Sequence, residues 1–231
     1  ALTLESTRIN AFSIYDEHLL VVIASHLAGL IEYGRLREEA EGRARNLGLI
    51  HEVVQEVVGM TDKREIAQIT ADLLTQYFAY ELTAVVLADR EQNLTISGFS
   101  GKIAPVVERS LSKNGALVKD GITGHVFHTG ESILANDVSV NELYSPIQGW
   151  QAGSEMCVAL RDGGQILGIV DVERRNKNAF TQNDLLDLES LAGILATVVS
   201  SADQYQRLQE SIRQLRATQD ELRSRIEAQR S

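Results

Sequence analysis

The sequence predicts an α+β domain set between two long helices. Proline is rare in the 231-residue chain, with 2 prolines against 17 glycines, which favours uninterrupted helices and turns concentrated elsewhere. A first helical run extends from Ile14 to about Gly59, and a second begins near Asp184. Between them, apolar segments alternate with short polar turns, as in antiparallel hairpins. Helices that flank hairpins rather than alternate with single strands indicate the α+β class.

Composition narrows the classes of function. The net charge of −10 argues against a nucleic-acid or anionic-membrane partner, because such surfaces need a basic patch. The single Cys157 excludes an intrachain disulfide and a four-cysteine metal site, and one free thiol fits the cytosol. No signal peptide is visible, and no apolar run approaches the roughly 20 residues of a membrane span. We therefore expect a cytoplasmic location, with no membrane partner. The chain opens without an initiator Met, and we interpret it as a piece of a longer protein.

The first helical run predicts a long linker helix over residues 14–59. Ser13 is a suitable N-cap, and Asp16 and Glu17 lie against the positive end of the helix dipole. Apolar residues then follow a 3-4 repeat, which indicates a coiled-coil or bundle seam. This seam comprises Tyr33, Leu36, Ala40, Leu47, Ile50, Val54 and Val57.

The middle of the chain predicts a helix and then a hairpin. Asp62 and Glu65 form a capping-box pattern for a helix that ends near Phe78. Residues 82–88 are nearly all apolar, as in a central strand covered on both faces. Residues 94–100 alternate as the paired strand. A short helix is expected at 106–111.

A short helix and a second hairpin complete the predicted domain. The helix starts after Gly121 and ends at Gly130, since glycine after the last periodic residue is the usual stop signal. A short strand at 133–135 and an irregular loop at 138–153 follow. Strands at 155–160 and 165–173 are then joined by a tight turn at 162–164.

The last helix carries a heptad repeat that predicts a parallel homodimer. Beyond about residue 204 no globular sequence remains to cover the seam, so residues 203–231 are predicted to pair with a second chain. Gln219 at a core position would set the register. The alternative is a helix that packs on its own domain to about Ala202 and frays beyond it. The predicted dimer interface is Leu191, Ile194, Val198, Tyr205, Leu208, Ile212, Leu215, Gln219, Leu222 and Ile226.

The two ends of the chain repeat each other at a shift of 168 residues. Asn10, Phe12 and Asp16 meet Asn178, Phe180 and Asp184 without any slip of phase. Residues 1–32 therefore read as the last strand and last helix of a preceding copy of the same domain. The helix over 14–59 would then end one copy and begin the next.

Motifs in a fixed order resemble the GAF domain, a small sensor module of signalling proteins, over residues 44–202. They are Gly121-Ile122-Thr123-Gly124, Thr129-Gly130, Asn136-Asp137-Val138, Ser154-Glu155-Met156, Val158-Ala159-Leu160, the run from Gly168 to Glu173, and Ala179-Phe180 with Asp184. The resemblance implies an antiparallel sheet of five to six strands with N- and C-terminal helices on one face. A ligand pocket is implied on the other face, under the 121–130 helix and the 138–153 loop. Its candidate lining is Phe99, Phe127, His128, Asn136, Asp137, Tyr144, Trp150 and Met156.

Particular members of this family bind known ligands or catalyse a reaction, and their sequence patterns can be compared with this chain. Asn176, Lys177, Phe180 and Asp184 match a cyclic-nucleotide pattern incompletely, and in that pattern the lysine and aspartate resemble a structural ion pair. Methionine-sulfoxide reductase members use several cysteines, whereas this chain has one. No cofactor is required by the sequence, and no metal site is expected.

The function expected from the sequence is a non-catalytic sensor and dimerisation module of a bacterial signalling protein. The chain end, 208–222, is similar to the helix that precedes the phosphoacceptor bundle of sensor histidine kinases. A small-molecule ligand would bias the terminal helices and, through them, an output domain. The alternatives are a structural dimerisation spacer without a ligand and, less favoured, a cyclic-nucleotide-binding regulator of a cyclase or phosphodiesterase.

Overall fold

The computed structural model describes residues 2–107, 117–118, 121–147 and 149–230. They divide into two compact units, Ala1–Gly48 and Leu49–Ser231. The predicted helix at 106–111 falls mostly outside the described residues, which include a helical turn at 104–107. Of the predicted seam in the first helix, the side chains of Leu36, Ala40 and Leu47 also lie outside them.

The first unit consists of an extended segment, a turn and most of helix α1 (Ile14–Val57), as predicted. The helix begins with a reciprocal capping box. The Ser13 backbone N–H donates to Asp16 Oδ2 at 2.7 Å, and the Asp16 N–H donates to Ser13 Oγ at 3.3 Å. Two of the four orphan donors at this helix start are thereby engaged locally, which explains why the helix begins here.

A six-stranded antiparallel sheet forms the centre of the second unit, which confirms the predicted fold class. Its strands are β1 (Leu82–Ala88), β2 (Leu94–Ser100), β3 (Leu117–Val118), β4 (Ile133–Ala135), β5 (Ser154–Asp162) and β6 (Gln165–Arg174). The strand order is β3-β2-β1-β6-β5-β4. The two predicted hairpins, β1-β2 and β5-β6, therefore meet at the centre through β1 and β6. The short edge strand β3 was not predicted, since two residues carry no periodicity.

Helices cover one face of the sheet. They are α2 (Lys63–Phe78), the final turns of α1, and the first half of the last helix, α4 (Gln182–Arg230). Asp62 caps α2 by accepting from the backbone N–H groups of Arg64 and Glu65. Alternate residues of the central strands point into this layer. Its core includes Val53, Ile66, Leu74, Leu191, Leu195, Met156, Val158, Val170 and Val172.

A second layer covers the opposite face. It is formed by helix α3 (Gly121–Thr129), a 3-10 turn (Val138–Val140) and the loop that follows. The other set of alternate strand residues, including Val86, Cys157 and Ile169, packs here against Val126 and Trp150. The sheet thus has two separate apolar cores, which is why its central strands read as continuous apolar runs.

The structure corrects the inner part of the predicted dimer seam in α4. Leu191 is 1% exposed and Val198 packs against the helix-side core, so both belong to their own domain. Ile50, Val54 and Val57 of α1 likewise pack into that core. A heptad pattern identifies an apolar stripe but does not say whether the stripe faces another chain or the same domain.

The outer half of the α4 seam is exposed in this single chain. Tyr205 is 48% exposed, Leu208 58% and Leu215 70%. In the inner half, Ile194 is 41% exposed. Ile212 is half-buried and Gln219 exposed. The side chains of Leu222 and Ile226 lie outside the described residues, so the predicted dimer remains a prediction.

Two stretches meet a length and composition test for membrane spans, unlike the expectation from the sequence. Ile14–Gly34 has a mean hydropathy of 1.4 and is 0% buried, and Gln182–Gln219 has 1.5 and is 44% buried. The second lies in a helix that forms part of a domain core. Composition alone therefore does not separate a core helix from a membrane helix here.

The close approach of α2 to β2 depends on Gly98. A Cβ atom at Gly98 would lie 2.3 Å from the backbone carbon of Ala67, a contact that α2 can relieve only by moving. We expect Gly98→Ala to lower the free energy of unfolding by about 1–3 kcal/mol. Gly193→Ala in α4 is the matched control, because a Cβ there meets nothing within 4 Å. It should stabilise the protein by about 0.5–1 kcal/mol. Urea denaturation measures both, and equal effects would contradict the role of Gly98.

Candidate functional site: a buried carboxylate cluster

Three carboxylates converge on the sheet face beneath α3. Strand alternation puts Glu155 and Cys157 of β5 on this face, together with Asp171 and Glu173 of β6. In the pairing register Glu155 lies opposite Glu173, and Cys157 lies opposite Asp171. The neighbouring positions, such as Met156, point to the helix layer instead. Register alone therefore brings the three acids together.

All three acids are buried, and burial raises their pKa values. Glu155, Asp171 and Glu173 are 4%, 4% and 5% exposed. Desolvation raises the pKa of Glu155 to about 8, and the charge of Glu173 adds to this, while a hydrogen bond with Asp171 opposes it. Desolvation raises the pKa of Glu173 to about 7. It also raises the pKa of Asp171 well above its ordinary value. The cluster therefore holds protons near neutral pH.

The cluster is only partly satisfied by hydrogen bonds. The indole N–H of Trp150 donates to Glu173 Oε2. Asp171 and Glu155 hydrogen-bond to each other, which requires that one of them carry a proton. Asp171 Oδ1 is buried and has no hydrogen-bond partner among the described residues. An unsatisfied buried acceptor costs about 1–3 kcal/mol, so this oxygen is an unfavourable feature of the structure as it stands.

The loop after the 3-10 turn closes over the cluster. Trp150 is 7% exposed, and the guanidinium of Arg175 lies 4.9 Å from its ring centroid. The hydroxyl of Tyr144 accepts from the backbone N–H of Ala152 at 2.8 Å. Burial raises the pKa of Tyr144 to about 12. These contacts hold the loop at both its aromatic residues.

A groove lies on the outer side of this layer. It has a volume of about 560 Å³ and runs between α3 and the loop, where it opens to solvent. His125, His128, Glu142 and Tyr144 are among its lining residues. The groove and the cluster share the Tyr144 segment of the loop as a wall. Among the described residues, no set of three or more His, Cys, Asp or Glu side chains is arranged to hold a metal ion.

Comparison with known proteins identifies the family. The family model of the GAF domain matches residues 60–200, more than half of the chain. The chain belongs to the GAF family. This confirms the family resemblance seen in the sequence. A comparison with curated protein sequences found no match.

Solved structures share the GAF fold at low sequence identity. Free methionine-R-sulfoxide reductase from Neisseria meningitidis, in complex with its substrate, is 21% identical, with 69% of this chain and 91% of that chain covered and a TM-score of 0.60. The GAF domain of an Acinetobacter phosphoenolpyruvate-protein phosphotransferase is 19% identical, with 68% and 94% covered and a TM-score of 0.58. The corresponding domain from Coxiella burnetii is 14% identical, with 71% and 98% covered and a TM-score of 0.60. At these identities the likeness shows the fold alone. The similar structures are an enzyme and the GAF domains of two phosphotransferases.

Four of the predicted pocket residues come together in this GAF domain. Phe127 and Trp150 are buried in the core beneath α3, and Phe99 and Tyr144 pack against it. They share this core with Cys157 and Ile169, which alternate with the carboxylates along β5 and β6. Burial on this face desolvates the acids and raises their pKa values.

The other four predicted residues do not meet the cluster. Met156 is fully buried in the helix-side core, because strand alternation turns it away from α3. His128 is exposed on α3, and its Nδ1 lies 2.7 Å from the carbonyl of Gly124. Asn136 binds the backbone of Phe180 through both its amide atoms, at 2.9 and 3.2 Å.

Lys177 forms an ion pair with Asp137, and not with Asp184 as the resemblance implied. Asp137 caps the 3-10 turn by accepting from the Ser139 N–H, and it accepts from Lys177 Nζ at 2.9 Å. Hydrogen bonds from Lys177 and Ser139 lower the pKa of Asp137. Asp184, the partner expected for Lys177, instead accepts from the N–H of Thr181 at 2.7 Å and caps α4. Lys177 and Asp184, two residues of the cyclic-nucleotide pattern, therefore make structural contacts.

Cys157 is not arranged as a nucleophile. It is fully buried, and burial raises the pKa of its thiol well above its ordinary value, with the charges of Asp171 and Glu155 adding to the effect. Thiolate chemistry requires a lowered pKa and access. The thiol at this position packs as a small apolar side chain.

The carboxylate cluster itself was missed in the sequence. Glu155, Asp171 and Glu173 lie within motifs that identified the family, but no role was assigned to them. A signal was available, since the acidic residues of Asp171-Val172-Glu173, at a spacing of two, directly follow the apolar run over 166–170. In a strand covered on both faces, charged residues at that spacing must be buried together.

The raised pKa values predict a stability that falls with rising pH. The folded-state values of about 8 for Glu155 and about 7 for Glu173 lie above the ordinary 4.5. The folded state therefore binds more protons in this window, and its stability is lost as pH rises toward 8. We expect the free energy of unfolding to fall between pH 5 and pH 8, by at most about 1.4 kcal/mol per pH unit for each acid.

Chemical denaturation across that pH range measures the effect. Glu155→Gln, which stays neutral, should flatten the slope, whereas the exposed control Glu189→Gln should leave it unchanged. Stability that is constant or that rises from pH 5 to pH 8 would contradict the assignment.

Proposed function

We propose that this GAF domain is a non-catalytic sensor for a small molecule that carries a protonated amine or a similar cationic hydrogen-bond donor. The observation that carries the proposal is the buried carboxylate cluster with its unpartnered Asp171 oxygen. Like charges held together in a buried site are unfavourable, and groups with strongly perturbed pKa values concentrate at functional sites. A cationic donor would satisfy the free oxygen and allow the acids to ionise.

Ligand binding at the carboxylates would change the contacts of the loop that covers them. Trp150 donates to Glu173 in the closed domain, so a ligand at the carboxylates competes with this bond. Release of Trp150 would also disturb its stacking with Arg175. The outer groove beside Tyr144 supports an entry route along the same loop.

The end of β6 provides a link from the cluster to α4. Arg174, next to Glu173, donates to the carbonyl of Phe78 at 2.9 Å. Its guanidinium also lies 5.2 and 5.4 Å from the ring centroids of Tyr80 and Phe180. Phe180 comes two residues before α4 begins. A shift of β6 at the cluster would therefore reach the start of α4 through packed groups.

We propose that α4 carries this bias to an output domain, such as a histidine kinase, in a cytoplasmic homodimer. The exposed apolar residues Tyr205, Leu208 and Leu215 support a second copy as the partner. The ligand would act only through a difference in affinity between two helix arrangements. The burial of Cys157 and its raised pKa support a non-catalytic role.

A dimerisation spacer without a ligand is the second candidate. It is favoured by the closed state of the domain, in which Trp150 and the carboxylates are nearly inaccessible. In that case the protonated acids would simply be hydrogen-bonded core residues. The two candidates differ in whether any amine stabilises the protein.

Ligand binding is tested by the thermal stability of the 231-residue chain with a panel of free amino acids and primary amines. A sensor should show a raised Tm with at least one compound, by linkage of binding to folding. Asp171→Asn should abolish the increase, and Glu189→Gln should retain it. Binding should also strengthen from pH 6 to pH 8, since the acids must lose protons. No increase with any amine would favour the spacer.

The dimer is tested by light scattering at several concentrations. Leu208→Ser combined with Leu215→Ser should weaken association at least about tenfold, because burial of each leucine contributes about 1.5–3 kcal/mol. Leu186→Ser is the matched control, since Leu186 is 51% exposed on α4 but lies off the seam. A monomeric parent chain at tens of micromolar, or an equal effect of the control, would contradict the α4 dimer.

A further inference from the structure

The first unit exposes an apolar face that has the features of a protein core. Leu2 and Leu4 of the extended segment are 43% and 53% exposed, and Phe12 is 50% exposed. Along α1, Ile23 and Leu27 are each 43% exposed. Leu2 and Leu4 are two residues apart, and Ile23 and Leu27 are four apart, so each pair lies on one face of its segment. Exposed apolar surface of this extent indicates an interaction surface.

The second unit contains the same face in a buried form. At the shift of 168 residues, Leu2, Leu4 and Phe12 correspond to Val170, Val172 and Phe180, which are 0%, 0% and 4% exposed. The corresponding positions of the two helices also differ in burial, since those in α4 are buried. Leu20, Ile23, Ala24, Leu27, Ala28, Ile31 and Gly34 correspond to Leu188, Leu191, Ala192, Leu195, Ala196, Val199 and Ala202, all at most 4% exposed. One position departs, where Glu17 corresponds to the buried Leu185.

The backbone repeats together with the side chains. Asn10 and Asn178 both adopt the left-handed conformation, at φ 56° and φ 55°. The helices begin at Ile14 and Gln182, which are equivalent positions. Their capping boxes match, since the Asp16 N–H donates to Ser13 at 3.3 Å and the Asp184 N–H donates to Thr181 at 3.2 Å. A turn with a left-handed asparagine, followed by a helix with the same capping box, therefore occurs twice.

In the second unit this face packs on the sheet and on α2 of a GAF domain. Val170 and Val172 lie in the helix-side core with Leu191 and Leu195, beside Ile66 and Leu74 of α2. The chain thus provides its own example of what covers the face. From the match in side chains, caps and backbone, we propose that residues 2–34 are the last strand and last helix of a second GAF domain, N-terminal to the one described. The strands and second helix of that domain are the partner of the exposed face.

A lipid bilayer is the rival occupant, since Ile14–Gly34 meets the composition test for a membrane span. The same test also selects Gln182–Gln219 in α4, whose first half is a domain core. Apolar composition is therefore the property expected of the last helix of this fold. Leu2, Leu4 and the left-handed Asn10 precede the candidate span and are no part of a membrane helix, whereas all three have equivalents in the GAF domain.

A helix exchange in the full chain tests the proposal. Residues 188–202 are replaced by the sequence of residues 20–34, which keeps an apolar or small residue at all seven buried positions named above. The matched control inserts residues 18–32 at the same place, which puts Ser25, His26 and Glu32 at the buried positions 195, 196 and 202. We expect the first chimera to unfold cooperatively with a Tm within roughly 5 °C of the parent, and the control to lose roughly 10 °C or more. Equal loss in both chimeras would overturn the proposal.

Two further measurements exclude the other occupants. Flotation of the parent chain with phosphatidylcholine–phosphatidylglycerol vesicles, abolished by Ile23→Asp with Leu27→Asp, would show a membrane face and overturn the proposal. Conversion of a dimer to a monomer by the same double variant would show that a second copy covers the face, and would also overturn it. The proposal expects no flotation and an unchanged oligomeric state. None of these outcomes depends on ligand binding at the carboxylate cluster.

Discussion

The constraint on which the rest of this structure depends is the burial of both faces of one antiparallel sheet. Helices α2 and α4 cover one face, and α3 with the loop over residues 138–153 covers the other. Most residues of β1, β5 and β6 are therefore removed from water, whichever way they point. A polar residue on such a strand has no route to solvent, so it must find partners inside or remain unsatisfied. The three carboxylates of β5 and β6 are the place where the sequence departs from an apolar pattern.

The chemistry of the cluster follows from that burial. Desolvation raises the pKa values of all three acids, and their proximity makes ionisation of one disfavour ionisation of the next. The protonated form of the cluster is therefore favoured near neutral pH. In the sensor that we propose, a ligand at these acids would act on the loop that is anchored to Glu173 through Trp150.

The position of the cluster relates it to the helices. Glu173 is followed at once by Arg174, whose side chain contacts the residues that lead into α4. Asn136, at the end of β4, holds the same Phe180 backbone from the other side. Arg174 and Asn136 thus both contact Phe180, which leads into α4. In the tandem arrangement that we propose, α1 would follow the preceding domain as α4 follows the last strand of this one.

The sequence by itself determined the family, the order of the elements and the two hairpins, since these depend on local periodicity, capping and glycine positions. The family resemblance also pointed to four aromatic residues, which lie in or against the core beneath α3. Only the tertiary structure decided which face each residue serves. Register turned Met156 into one core and Cys157 into the other, and it joined Glu155 to Asp171 and Glu173 across two strands. Packing likewise assigned Leu191 to its own domain although its heptad position matches that of the exposed Tyr205. Periodicity defines a face, but what the face meets depends on contacts distant in sequence.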